Sequence, residues 1–114
     1  MSKARGFNGE IEFDGTFVIL RPIPGFLGKL RDKNRGERRF AVKNIMMLDY
    51  SNPSGIKAGY IRILTAGMTA LRGNPMRPAF LDAAEDPNAI VFKARDRADV
   101  SRVRDEIDLA IANG

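Results

Sequence analysis

The apolar residues of this chain change period once, near Asp96. Downstream of it, Val100, Val103, Ile107, Ala110 and Ile111 recur at spacings of three, four, three and one. That is one stripe of an amphipathic helix. Upstream, apolar residues fall in short runs between clusters of turn formers, which is how strands read. A helix with a single apolar stripe must bury it, and the strands supply the surface. The pattern therefore predicts a mainly β (α+β) domain. About seven short antiparallel strands form a small barrel or sandwich, and one C-terminal helix over 96–113 closes it. Asp96 is placed to cap that helix, with Asp99 three residues later as a short-armed capping box. Asn113 and Gly114 end it.

The clearest strand signal is 9–21, GEIEFDGTFVILR. Asp14-Gly15 suits the centre of a type I′ turn, which needs positive φ at both positions. Folding about it pairs Phe13 with Thr16, Ile11 with Val18 and Gly9 with Leu20. Ile11, Phe13, Val18 and Leu20 then form the core face. Phe17 and Ile19 fall on the opposite, mixed face and call for a second cover. Pro22 and Pro24 end the second strand, because neither can donate to a ladder. A third strand is expected over 38–42, with Phe40 and Val42 inward and Arg39 and Lys43 outward. A fourth spans 45–50 and a fifth 59–65, separated by the turn formers of 51–55. Gly67, Gly73, Asn74, Pro75 and Pro78 break up 66–81, which reads as a ragged strand and a long turn. Residues 89–93 form the last strand, and 1–8 read as a short N-terminal arm. Residues 1–114 are expected to be one domain.

The charge is concentrated. Residues 29–43 (KLRDKNRGERRFAVK) carry Lys29, Arg31, Lys33, Arg35, Arg38, Arg39 and Lys43 against Asp32 and Glu37. That excess equals the net +5 of the whole chain. A neutral body with one basic projection reads as a module that meets something acidic. Asn34 and Gly36 favour a turn inside the stretch, and 28–36 is expected to be the most mobile internal segment. Phe26 and Leu27, just before it, are candidate apolar anchors for a membrane interface or a partner groove.

The chain has no Cys and no His. Thiolate metal sites and the commonest neutral-pH general base are thereby excluded. Ser54 and Lys57 are too close in a turn to suggest a Ser–Lys pair. Residues 25–29 lack the spacing and hydroxyl of a phosphate loop. Asp82, Glu85, Asp86 and Asn88 match no calcium loop. Neither an enzyme nor a cofactor is expected. A pI near 10.0 permits nucleic acid, but the aromatics fall on core-phased positions and offer no stacking platform. The N-terminus has no apolar signal region, and no run approaches the ~20 residues of a membrane span. A cytoplasmic location is expected.

Four stretches carry a resemblance: 6–15 (GFNGEIEFDG), 59–62 (GYIR), 82–92 (DAAEDPNAIVF) and 103–112 (VRDEIDLAIA). In this order they resemble a family of uncharacterised bacterial pleckstrin-homology-like (PH-like) domains. The resemblance implies a PH-like fold and no agreed activity. Asp49-Tyr50-Ser51 departs from that family's usual pattern, as does the basic stretch. The expected role is a non-catalytic interaction module for a protein or peptide, through an open sheet edge or groove. Anionic-lipid attachment through 29–43 is the alternative, and a structural subunit of a larger assembly is a third.

Overall fold

The alternating segments pair into two antiparallel sheets. The computed structural model describes residues 2–23, 36–74 and 76–114. The first sheet has the order β1 (Ser2–Arg5), β2 (Gly9–Phe13), β3 (Phe17–Pro22), β4 (Arg38–Ala41). The second has the order β5 (Met47–Ser51), β6 (Gly59–Leu64), β7 (Ala89–Phe92). A short helix α1 (Ala79–Glu85) precedes β7, and α2 (Arg97–Asn113) ends the chain. The result is a mainly β domain with four and three strands in its two sheets and a C-terminal helix, a sandwich-type arrangement.

The β2–β3 hairpin keeps its expected faces but not its expected register. Phe13 faces Val18, Ile11 faces Leu20 and Gly9 faces Pro22. Asp14 Oδ1 accepts from the N–H groups of Thr16 (2.9 Å) and Phe17 (2.7 Å). Asp14 therefore sits before the turn, and Gly15 and Thr16 are its centre. Gly15 has φ 99° and no non-glycine residue described has positive φ, so a type I′ turn is ruled out. Glycine alone at the first central position is the type II′ pattern. The slip is two residues, and an even slip leaves each side chain on its own face.

Two further expectations are corrected. Residues 1–8 are not a plain arm, because Ser2–Arg5 pairs with β2 as an edge strand. Among the described residues of 66–81 there is no sixth strand beyond the isolated Asn74–Arg77 bridge; they form a strap over the second sheet that leads into α1. Pro78 stands before α1 with an extended backbone (φ −59°, ψ 147°), and its carbonyl accepts from the Leu81 N–H (3.0 Å); the helix residues themselves are mostly good helix formers.

Between the sheets lies the main core. Ile11, Val18, Ile63, Phe92, Val100, Val103 and Ile107 are fully buried in it. The α2 stripe supplies the last three, with Ala110 and Ile111 packed at its margin. The helix lies against β1, β2 and β5. Asp96 does not cap it: its side chain makes no capping bond, and its backbone (φ −98°, ψ −3°) is already helical. A 3-10 turn, Ala94–Asp96, runs straight into the helix, so the extended geometry that a cap residue needs is never formed.

A second, smaller core covers the outer face of the second sheet. Tyr60, Ala89 and Val91 meet Ala83 of α1, with Phe80 and Leu71 at its border. All six residues of β6 are consequently buried. Polar clamps hold the strap. Arg62 Nη1 donates to the Thr69 carbonyl (2.7 Å), and Asp49 Oδ2 accepts from the Leu71 N–H (2.9 Å).

The sheets are stitched at one corner by residues 6–9. Phe7 N–H donates to the Val91 carbonyl (2.6 Å), and Asn8 Oδ1 accepts from the Val91 N–H (2.8 Å). A Cβ on Gly6 would meet Ile90 Cγ2 at 2.5 Å, and one on Gly9 would meet Ile90 Cδ1 at 2.5 Å. Glycine is needed at both positions for this close approach.

Candidate functional site at the sandwich mouth

Strand alternation decides where the basic residues go. Arg38 lies opposite Leu20, and Arg39 lies opposite Ile19. Leu20 is a core residue, so Arg38 sits on the inward side at the end of β4. Arg39 faces outward, its guanidinium over the Phe17 ring at 5.6 Å and paired with Glu37 at 3.4 Å. Two adjacent arginines thus serve opposite faces of one sheet. Lys43 is farther still, in the 3-10 turn Val42–Asn44, beside a shallow separate depression with Met46 and Thr65. Phe40 and Val42 pack against the main core, as their alternation predicts. Phe26, Leu27, Lys29, Arg31, Lys33 and Arg35 lie outside the described residues, as does most of the stretch expected to be mobile.

On the inward side an open pocket of about 330 Å³ lies between the two sheets. Leu20, Pro22, Pro87 and Ile90 give it apolar walls, and Arg21, Glu37, Arg38 and Asp86 give it charge. Pro22 and Gly36, which lie near the described residues on either side of 24–35, both line this mouth.

Most of these charges are already committed. Arg21 bridges Glu12 (2.6 Å), Glu37 (3.0 Å) and Glu10 (3.6 Å) across the outer face of the first sheet. The Glu12 hydrogen bond is the main reason its pKa is raised. This network flanks Ile19, which is buried between Glu12 and Arg39 on the neighbouring strands. Asp86 is held by Arg62 Nε at 2.6 Å and accepts from the Asn88 N–H at 2.8 Å. Arg38 differs. Its guanidinium lies over the Phe40 ring at 5.7 Å, and no carboxylate pairs with it among the described residues. Among the described residues it is the mouth cation without a carboxylate partner.

Sequence reasoning singled out Arg38 by its charge but missed Arg21, Asn8, Asp86 and Ile90 as its neighbours. Asn8 carried a readable signal, since an Asn between two glycines marks a chain reversal. Asp86 carried none, because its role depends on Arg62, distant in sequence. The acidic cluster before β7 is taken up by arginines: Arg77 pairs with Asp82 (2.6 Å) and Glu85 (3.2 Å), and Arg62 with Asp86. Among the described residues, no three His, Cys, Asp or Glu side chains stand together in a metal-holding group. None of the described helices is long and apolar enough to cross a membrane.

Residues 11–108 match the family model described as Domain of unknown function (DUF4429). The chain belongs to that family. The match runs from within β2 into α2; it leaves out β1 but includes the rest of both sheets from Ile11 on, the strap and the mouth residues from Leu20 to Ile90. Comparison with curated proteins and with solved structures gives no match. What the DUF4429 match establishes is membership; the chemistry rests on the residues at the mouth.

Proposed function

We propose that this DUF4429 domain is a non-catalytic interaction module of PH-like architecture that binds a protein or peptide at the sandwich mouth. The observation that carries this reading is β4. Among the described residues it pairs only with β3, and its end opens on the pocket that holds the uncommitted Arg38. An extended peptide laid along β4 adds a strand by main-chain hydrogen bonds. Its alternate side chains then face Leu20 and Ile90, and an acidic one meets Arg38. The PH-like reading is supported by the strand order and the terminal helix, and by the resemblance of 6–15, 59–62, 82–92 and 103–112. The cytoplasm is the proposed location, and no cofactor is invoked.

The concentration of charge in 29–43 favours a second reading, attachment to an anionic lipid surface through that stretch with Phe26 and Leu27 as anchors. Chemical-shift mapping separates the two. An extended acidic peptide should perturb the amides of β4 and the mouth, and Arg38→Glu should abolish the perturbation. If only anionic vesicles bind, and replacing Arg31, Lys33 and Arg35 by Ser removes that binding, the lipid reading prevails. If neither ligand has an effect, the domain is better regarded as a structural subunit.

A further inference from the structure

Two short turns, each closed by an isolated bridge, lie beside a different cavity. In the first, Ser54 and Lys57 exchange both backbone hydrogen bonds (3.0 and 2.9 Å). In the second, Asn74 and Arg77 do the same (2.9 and 3.1 Å). Asn74 Oδ1 also accepts from the N–H groups of Met76 (2.9 Å) and Arg77 (2.8 Å). Each turn carries an apolar residue at its tip, immediately followed by a cation. Ile56 and Met76 are the most exposed large apolar residues described, at 104% and 92%. Turn tips normally hold Gly, Asn, Asp or Ser. Both side chains stand in solvent although each turn is closed at its base.

The turns flank a pocket of about 430 Å³ whose lining contains Lys57 and Arg72 and no carboxylate. Lys57 and Arg72 are exposed and have no ion-pair partner among the described residues. Arg77, by contrast, is held back by Asp82 and Glu85. Single exposed apolar residues mean little on their own. Here two exposed apolar side chains belong to turns whose bases, Ser54, Lys57 and Asn74, line the pocket with Arg72, and among the described residues no carboxylate lines it. A protein partner would need two sockets to receive such tips; a lipid interface needs none.

We infer that this turn face docks on an anionic membrane surface. Ile56 and Met76 enter the boundary between headgroups and acyl chains, while Lys57 and Arg72 meet the lipid phosphates. This surface shares no residue with the mouth pocket, so it acts independently of the peptide reading. It also needs nothing from residues 29–43.

The full chain contains no Trp, so Ile56→Trp places a single fluorescent reporter at one tip. Vesicles rich in phosphatidylserine should shift its emission to the blue at low salt, and pure phosphatidylcholine vesicles should not. In co-sedimentation, Lys57→Ser with Arg72→Ser should lower partitioning about 25-fold, since each charge is worth about fivefold. Ile56→Ser with Met76→Ser should lower it at least about tenfold. All four positions are exposed, so the fold should survive, as circular dichroism would show. The inference is overturned if the wild-type chain does not sediment with anionic vesicles. It is equally overturned if the chain sediments while the reporter stays water-like and the tip variant binds unchanged. A blue shift with poly-glutamate but not with vesicles would replace the membrane by an acidic protein.

Discussion

Ile107→Ala tests the joint between α2 and the sheets. Ile107 is fully buried within the main core. The change removes three carbon groups at about 0.8 kcal/mol each, or roughly 2.4 kcal/mol of transfer free energy. If nothing relaxes, it leaves a cavity of roughly 80 Å³, which adds about 2 kcal/mol at ~24 cal/mol per Å³. Alanine returns a few tenths through its helix propensity. The expected loss is therefore about 2–4 kcal/mol, with the lower end applying if the neighbouring Val103 and Phe92 close in. For a chain of this length each kcal/mol moves Tm by about 4 °C, so the melt should fall by roughly 8–16 °C. Leu109 provides an internal control, since it lies on the same helix and is 63% exposed. Leu109→Ala should change stability by less than about 0.5 kcal/mol. Thermal denaturation followed by circular dichroism measures both. Equal losses at the two positions, or a drop under about 3 °C for Ile107→Ala, would refute the packing described.

Gly59→Ala should be strongly destabilising although the backbone there is ordinary: the new Cβ would press on the Ser51 carbonyl and stand 2.6 Å from Pro53 N. Overpacking of this kind costs about 1–3 kcal/mol or more, and a lowered urea midpoint would show it, whereas an unchanged midpoint would mean that the β5–β6 connection is looser than described. The Asp14 carboxylate is held below its ordinary value of 3.8 by the N–H groups of Phe17 and Thr16. Its contribution is therefore complete above that ordinary value and is lost as pH falls through the lower folded value. Asp14→Asn should thus be less stable than wild type at neutral pH, and the gap should close in acid; a gap that is independent of pH in urea titrations would refute the assignment.

The parts of this architecture that were legible in the sequence are those fixed by periodicity. The α2 stripe and the inward face of the β2–β3 hairpin follow from spacing alone. The hairpin register does not, because the Asp14 side chain, not the Asp-Gly dipeptide, sets where the chain reverses. Strand β1 was illegible for a different reason. Only Ala4 of Ser2–Arg5 is apolar and buried, so there is almost no alternation to read, and the small side chain suits a strand on which α2 rests. In α1 the helix formers were visible, but the preceding Gly and Pro residues dominated the reading. At the mouth, the charge of Arg38 was visible while its setting was not. One residue of strand register separates it from Arg39, and that difference sends the two cations to opposite faces.

Strand β6 belongs to both cores at once. Ile61 and Ile63 point into the sandwich, while Tyr60 meets the strap and α1 on the outside. Neither layer can be completed without the other, because a strand left bare on one face is a poor template for the second. The two layers should therefore unfold in a single cooperative step. A surface segment that looks dispensable, 66–78, is in this sense as much a part of the domain's cooperative unit as the strands it covers. Insertions or cuts within the strap would be transmitted through β6 to β5 and β7, and from there to the helix that closes the other side.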